Sequence, residues 1–167
     1  SPEQLQIGAA LVITAPFVPM LFQGEEWAAA SPFLYFTDHQ DPELGEAVKR
    51  GRREEFAAFS QSPHEIPDPQ AEATFVKSKL NWNEIHKEPH NTVFDWYQSL
   101  LELRRRLPAL SDGRMERVSV RFDEAARWLI MIRGSVWVTC NFSEALQQIP
   151  CFHVQGKMVI LSSKKGV

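Results

Sequence analysis

Only two cysteines, Cys140 and Cys151, occur in 167 residues. That is too few for the disulfide framework of a small secreted fold, so a reduced, cytoplasmic protein is expected. An excess of either charge is also missing, with 18 Lys and Arg against 21 Asp and Glu. Neither nucleic acid nor an anionic membrane surface is therefore an expected partner. No apolar run reaches the ~18 residues that suggest a membrane span. Even Leu5 to Ala15 is short, follows a helix-start signature and lacks the basic flank of a signal peptide. No glycine-rich phosphate loop occurs. His86 and His90 stand four apart, but Pro89 lies between them and no third ligand has a usual zinc spacing. No metal and no cofactor are expected. Cys140 falls in an alternating apolar run, which suits a packed thiol better than a reactive thiolate.

The stretch that stands out is Phe17-Val18-Pro19-Met20-Leu21-Phe22-Gln23-Gly24-Glu25-Glu26-Trp27. An apolar run ends at a glycine and opens onto two carboxylates and an indole. A short segment apolar at nearly every position predicts a strand buried on both faces, as in a parallel sheet. In parallel α/β sheets, ligand-handling residues collect just past the strands' C-terminal ends. A core strand followed by a solvated loop is the plain alternative. Ahead of the run, Ser1, Pro2 and Gln4 fit an N-cap, a first helical residue and a capping-box partner. Leu5 to Ile13 is then apolar almost all round, which predicts a helix covered on most sides, and Pro16 closes it.

Further along, Ala28 to Gln40 carries Phe33, Tyr35 and Phe36, too aromatic for a disordered linker. Asp41-Pro42-Glu43 opens a second helix with a Glu46/Arg50 pair and Phe56 and Phe59 as core candidates. Its Lys49, Arg50, Arg52, Arg53 cluster precedes Glu54 and Glu55 and reads as a solvated face. Pro63, Pro67 and Pro69 mark a surface loop, and a short helix is predicted within Ala71 to Leu80. From Pro89, the residues Val93, Trp96, Tyr97, Leu100, Leu103 and Leu107 recur every three or four positions, predicting a strong amphipathic helix. Arg104, Arg105 and Arg106 lie in its last turn, where they complement the helix dipole, and Pro108 stops it. After Met115 the period becomes two, in Val118/Val120/Phe122, Trp128/Ile130/Ile132 and Val136/Val138/Cys140/Phe142. These are antiparallel strands, and about five fit before the last residue, Met158 to Ser162 being the last strand.

Several motifs together carry a family resemblance. They are Val18 to Trp27, Phe36-Thr37-Asp38-His39, Ile66-Pro67-Asp68-Pro69-Gln70 with Thr74-Phe75, Ser78-Lys79-Leu80-Asn81-Trp82, and Leu103-Arg104-Arg105-Arg106-Leu107-Pro108-Ala109-Leu110. The sequence resembles the C-terminal part of the malto-oligosyltrehalose trehalohydrolases, within the alpha-amylase family of glycoside hydrolases. The likeness covers roughly residues 1 to 142 and weakens in the last strands. It implies an α/β plus all-β fold, the C-terminal remnant of a (β/α)8 barrel over residues 1–111 and a truncated antiparallel β-sandwich over 112–167. It also implies that 1–15 correspond to the seventh barrel helix, 18–22 to the eighth strand and 89–107 to the final helix.

The implied chemistry is retaining hydrolysis of the α-1,4 bond next to the terminal trehalose of maltooligosyltrehalose. That reaction needs two carboxyl groups about 5–5.5 Å apart. The family's Asn-His-Asp is not found here, and Asp38-His39 has the reverse order. Asp38 reads as a loop residue bonding nearby amides. Glu25 and Glu26 are adjacent, so on an extended segment they point to opposite sides and cannot flank one bond without a sharp turn. No catalytic residue is therefore assigned, and the chain alone is expected to be inactive. Glu26 and Trp27 are the candidate substrate-binding residues, since a carboxylate accepts sugar hydroxyls and an indole covers an apolar sugar face, with packing between loop and barrel as the equal alternative for Trp27. The expected partners are an α-glucan and either a missing N-terminal barrel portion or a second copy. A noncatalytic carbohydrate-binding or interaction module and part of a glucan branching enzyme stand as alternatives.

Overall fold

The computed structural model describes residues 1–57, 66–150 and 158–163. It divides into two compact units, Ser1–Ala28 with Glu84–Val167, and Ala29–Asn83. The boundary at 111/112 expected from the sequence falls inside the first unit.

In the first unit, helix α1 (Pro2–Thr14) starts as its sequence dictates, with Ser1 as N-cap, Pro2 at the first position and the Gln4 Oε1 2.7 Å from the Ser1 nitrogen. It packs on α4 (His90–Arg106), the helix predicted from the spacing after Pro89. Ala9, Ala10 and Ile13 of α1 meet Val93, Tyr97 and Leu100 of α4, and Leu161 packs against the same cluster. Two alanines on the contact face let the helix axes approach, while the branched Ile13 and Val93, each 0 % exposed, fill the space that remains. The Trp96 indole N–H donates to the Gln6 carbonyl at 2.9 Å, so the ring is both packed and satisfied. Elsewhere on α1, Leu5 and Val12 are about half exposed.

Two arginines finish the job that side chains do at helix ends. The last carbonyls of a helix have no partner within it. Arg104, near the end of α4, donates to the carbonyls of Ile13 (2.5 Å), Ala15 (2.7 Å) and Phe17 (2.7 Å). The basic cluster is thus more than a complement to its own helix dipole, since Arg104 caps α1. Arg133, only 2 % exposed, donates to the carbonyls of Thr14 (2.6 Å), Leu110 (3.0 Å) and Asp112. Between them lies α5 (Pro108–Ser111), where Pro108 restarts a short helix after Leu107 leaves helical geometry.

The predicted strands form β1 (Val118–Asp123), β2 (Trp128–Arg133) and β3 (Val136–Asn141), an antiparallel sheet in the order β1-β2-β3. Its register pairs Val120 with Met131 and Met131 with Val138, which fixes one face; Ile130 sits on the other with Arg121 and Thr139. Both Ile130 and Met131 are buried, so β2 is covered on both faces as a central strand should be. The free thiol of Cys140 on β3 is buried, and its pKa is pushed up to about 11 by that burial. Val120 and Phe122 on edge strand β1 stay exposed.

Two expectations need correction. Val18 to Phe22 forms no strand, and Val18 and Met20 are 92 % and 90 % exposed. A parallel strand owes both its hydrogen bonds and its burial to neighbours, and among the described residues none lies alongside it. Met158 to Ser162 is likewise not a strand, so the described β region is three-stranded and not a five-stranded sandwich. The Pro63 loop position, Phe59 and Cys151 lie outside the described residues.

The second unit holds α2 (Pro42–Ala57) and α3 (Glu72–Ser78). The aromatic segment packs within it, with Phe36 edge-on to both Phe33 and Phe75. The side chain of Gln70 organises its loops. It accepts from the Thr37 hydroxyl (2.6 Å) and the His39 amide (3.1 Å), and donates to the His39 carbonyl (3.1 Å). Gly45 permits this: a Cβ there would meet the Gln70 amide nitrogen at 3.0 Å. Lys49 pairs with Asp68 at 2.6 Å and also reaches Glu46 at 3.6 Å. Two of the motifs that carry the family resemblance, Phe-Thr-Asp-His and Pro-Asp-Pro-Gln, are therefore halves of one hydrogen-bonded loop junction. Asp38 accepts from the Gln40 side-chain amide at 3.3 Å.

Candidate functional site

The Gly24-Glu25-Glu26-Trp27 motif folds as a single 3₁₀ turn, Glu25–Trp27. Gly24 enters it at φ 86°, a conformation that favours glycine, and Ala28 leaves it at φ 55°. Amides of Glu25, Trp27 and Ala28 donate to the carbonyls of Phe22, Gly24 and Glu25. About 120° separates successive residues in such a turn. Glu25 and Glu26 therefore diverge, although not by the extended geometry expected from their sequence.

The two carboxylates have different surroundings. Glu25 folds back on its own turn, accepting from the Phe22 amide at 2.9 Å and from the Tyr97 hydroxyl at 3.2 Å. Tyr97 is almost wholly buried on α4, and its pKa is pushed up to about 12, first by burial and then by the charge and hydrogen bond of Glu25 and the charge of Glu26. The phenol thus keeps its proton and donates it. Glu26 is half-buried, and its Oε2 is enclosed with no hydrogen-bond partner among the described residues. Such an oxygen costs about 1–3 kcal/mol unless some donor reaches it, more if the group is charged.

Trp27 is 1 % exposed, so its indole packs inward and offers no face to a ligand in this arrangement. Its carbonyl lies 2.8 Å from the Nδ1 of His90. A carbonyl can only accept, so Nδ1 of His90 is the donor in this pair. This is the role of the histidine that, paired with His86, had the spacing of a weak metal motif. Among the described residues no group of three or more His, Cys, Asp or Glu is placed to hold a metal ion.

The sequence therefore singled out the Gly24-Glu25-Glu26-Trp27 motif but neither its turn geometry nor its hydrogen-bond partners. Tyr97 and His90 were visible only as a core position and a helix start. Their partners lie 72 and 63 residues away, a distance at which no local spacing signals contact. The open groove bounded by Pro108, Asp112, Arg114, Arg117 and Arg133 was also unforeseen. There Asp112 takes Arg114 at 2.8 Å and Arg117 at 3.3 Å. Hydrogen bonding from Arg114 holds its carboxyl down at about 2.

Comparison with known proteins gives a consistent picture. No family model matches the chain. It is 40 % identical over 157 residues to the malto-oligosyltrehalose trehalohydrolase of Mycobacterium tuberculosis, which covers 94 % of this chain and 27 % of that one. It is 44 % identical over 140 residues to that of a Rhizobium species, covering 84 % and 24 %, and 47 % identical over 135 residues to that of Arthrobacter ramosus, covering 81 % and 23 %. The chain thus spans about a quarter of the length of the curated relatives it matches. Among solved structures, a protein from Salmonella typhimurium described as an alpha amylase superposes with a TM-score of 0.66 at 34 % identity, over 77 % of this chain and 22 % of that one. The fold is alpha-amylase-like over the matched part. Among the described residues no helix is long and apolar enough to cross a membrane.

Proposed function

From the homology of this chain to the C-terminal region of the malto-oligosyltrehalose trehalohydrolases, we propose that it works as part of a retaining glycoside hydrolase. The substrate is maltooligosyltrehalose or a related α-glucan, and the product is trehalose, released by cleavage of the α-1,4 bond next to the terminal trehalose unit. Residues 1–111 form the last part of a (β/α)8 barrel, and 112–167 begin a β-sandwich. The enzyme works in the reducing cytoplasm, where the Cys140 thiol is stable.

In this reading the nucleophile and the general acid come from outside these residues, so the chain alone releases no trehalose. Its contribution is Glu26. The observation that carries this is the enclosed, unpartnered Glu26 Oε2, in a turn at the end of an apolar segment that fits a barrel strand. A sugar hydroxyl is a donor of the right kind, and the carboxylate is the acceptor such hydroxyls select. Trp27 stays with the candidate site as the buried wedge under the turn. The exposed Val18, Met20 and Phe22 are covered by the remaining barrel strands or, failing that, by a second copy.

The test is kinetic. In the complete enzyme Glu26→Gln is expected to lower kcat/KM for maltooligosyltrehalose by about ten- to a hundredfold, equivalent to roughly 1–3 kcal/mol, with Tm unchanged. Kinetics equal to wild type would remove Glu26 from the site.

A further inference from the structure

His90 and Tyr97 stand seven positions apart on α4, which places them on one face about 10 Å apart along the axis. Val93 lies between them with no exposed surface, so that face is packed rather than open. The two polar side chains meet opposite ends of the Glu25–Trp27 turn. His90 Nδ1 is 2.8 Å from the Trp27 carbonyl, and the Tyr97 hydroxyl is 3.2 Å from Glu25 Oε1. The other Glu25 oxygen takes the Phe22 amide at 2.9 Å. The turn is thereby held at residues 22, 25 and 27, on either side of Glu26. Within it, Glu25 is consumed by this fastening, and the enclosed Glu26 Oε2 has no partner among the described residues.

We infer that His90 and Tyr97 form a two-point clamp, with Glu25 as its catch, that sets the position of the Glu26 carboxylate and so makes all three positioning residues for the substrate. This rests on the reading of Glu26 as a sugar contact. The physical reason is the small tolerance of such sites: an ångström of displacement at a binding carboxylate is enough to weaken catalysis many-fold. A 3₁₀ turn has poor internal hydrogen-bond geometry and does not hold itself to that tolerance. A long helix packed along that face does.

The experiment uses the complete enzyme with maltooligosyltrehalose. Tyr97→Phe, which keeps the ring, and His90→Ala are each expected to lower kcat/KM about fivefold, the worth of one hydrogen bond. His90→Asn places an N–H close to where Nδ1 stood and is expected within twofold of wild type. In a Glu26→Gln background, Tyr97→Phe is expected to cause no further loss, because the clamp acts through Glu26. A full fivefold loss in that background would overturn the clamp, as would failure of His90→Asn to restore activity. If Glu26→Gln is impaired while Tyr97→Phe and His90→Ala are not, the clamp is wrong and the site stands. If Glu26→Gln itself matches wild type, the site reading fails and the clamp fails with it.

Discussion

Helix α1 and the segment 17–22 are neighbours in sequence and alike in apolar content, yet they end in opposite environments. Ile13 is 0 % exposed and Met20 is 90 % exposed. The difference is the partner. The helix satisfies its own backbone and packs a face on α4, whereas among the described residues no strand lies alongside the extended segment to cover its side chains. Apolar composition therefore marks a demand for burial, and whether the demand is met depends on what else is present.

Truncation at the two positions should separate these environments. Ile13→Ala is expected to destabilise the chain by about 2–5 kcal/mol, the usual cost of emptying a full core site. Met20→Ala is expected to change stability by less than about 0.5 kcal/mol, as for an exposed residue. Urea unfolding of both variants checks this, and comparable losses would mean that Met20 is buried in solution.

A smaller effect is expected at the junction that follows the two segments. Arg133→Met keeps the apolar stem but leaves the carbonyls of Thr14, Leu110 and Asp112 without their donor. A loss of about 2 kcal/mol is expected in the same unfolding experiment. No loss would mean that water replaces the guanidinium at no cost and that the sheet is held to α1 by packing alone.

Smallest is the contribution of Asp112. Its folded-state pKa is depressed to about 2 by Arg114, so its stabilisation is present above the ordinary carboxylate range. It is lost as pH falls from about 4 through 2. The Asp112→Asn variant should therefore lose this part of the acid dependence. Because the pair is on the surface, the change is small and salt-sensitive. A pH profile identical to wild type at low salt would show that the ion pair contributes nothing.

How far these features were legible in the sequence follows from the range of the interactions. The α1 cap, the α4 stripe and the three strands are written in neighbouring residues: Ser1-Pro2-Gln4, Val93/Tyr97/Leu100, and the alternation around Ile130. Arg104 looked like a dipole complement because that reading needs only its own helix, whereas its partners are 87 to 91 residues away. The strand expected at 18–22 did not form, since a strand needs a neighbour and among the described residues none lies alongside it. At the candidate site, the Gly24-Glu25-Glu26-Trp27 motif stood out in the sequence, whereas the contacts of Tyr97 with Glu25 and of His90 with Trp27 did not. The indole of Trp27 was read as a sugar platform because composition cannot distinguish an aromatic ring facing a cleft from one facing a core.

Oxidation of Met20 by dilute peroxide, followed by peptide mass spectrometry, tests most directly whether the 17–22 segment is one strand of a larger barrel. Sulfoxide forms where a methionine is accessible. Met20 should oxidise rapidly in the 167-residue chain, with the buried Met131 as a protected internal reference, and become at least about tenfold slower in the complete enzyme as neighbouring strands close over it. Equally fast oxidation of Met20 in both would show that nothing covers the segment, and the barrel assignment of residues 1–111 would be contradicted.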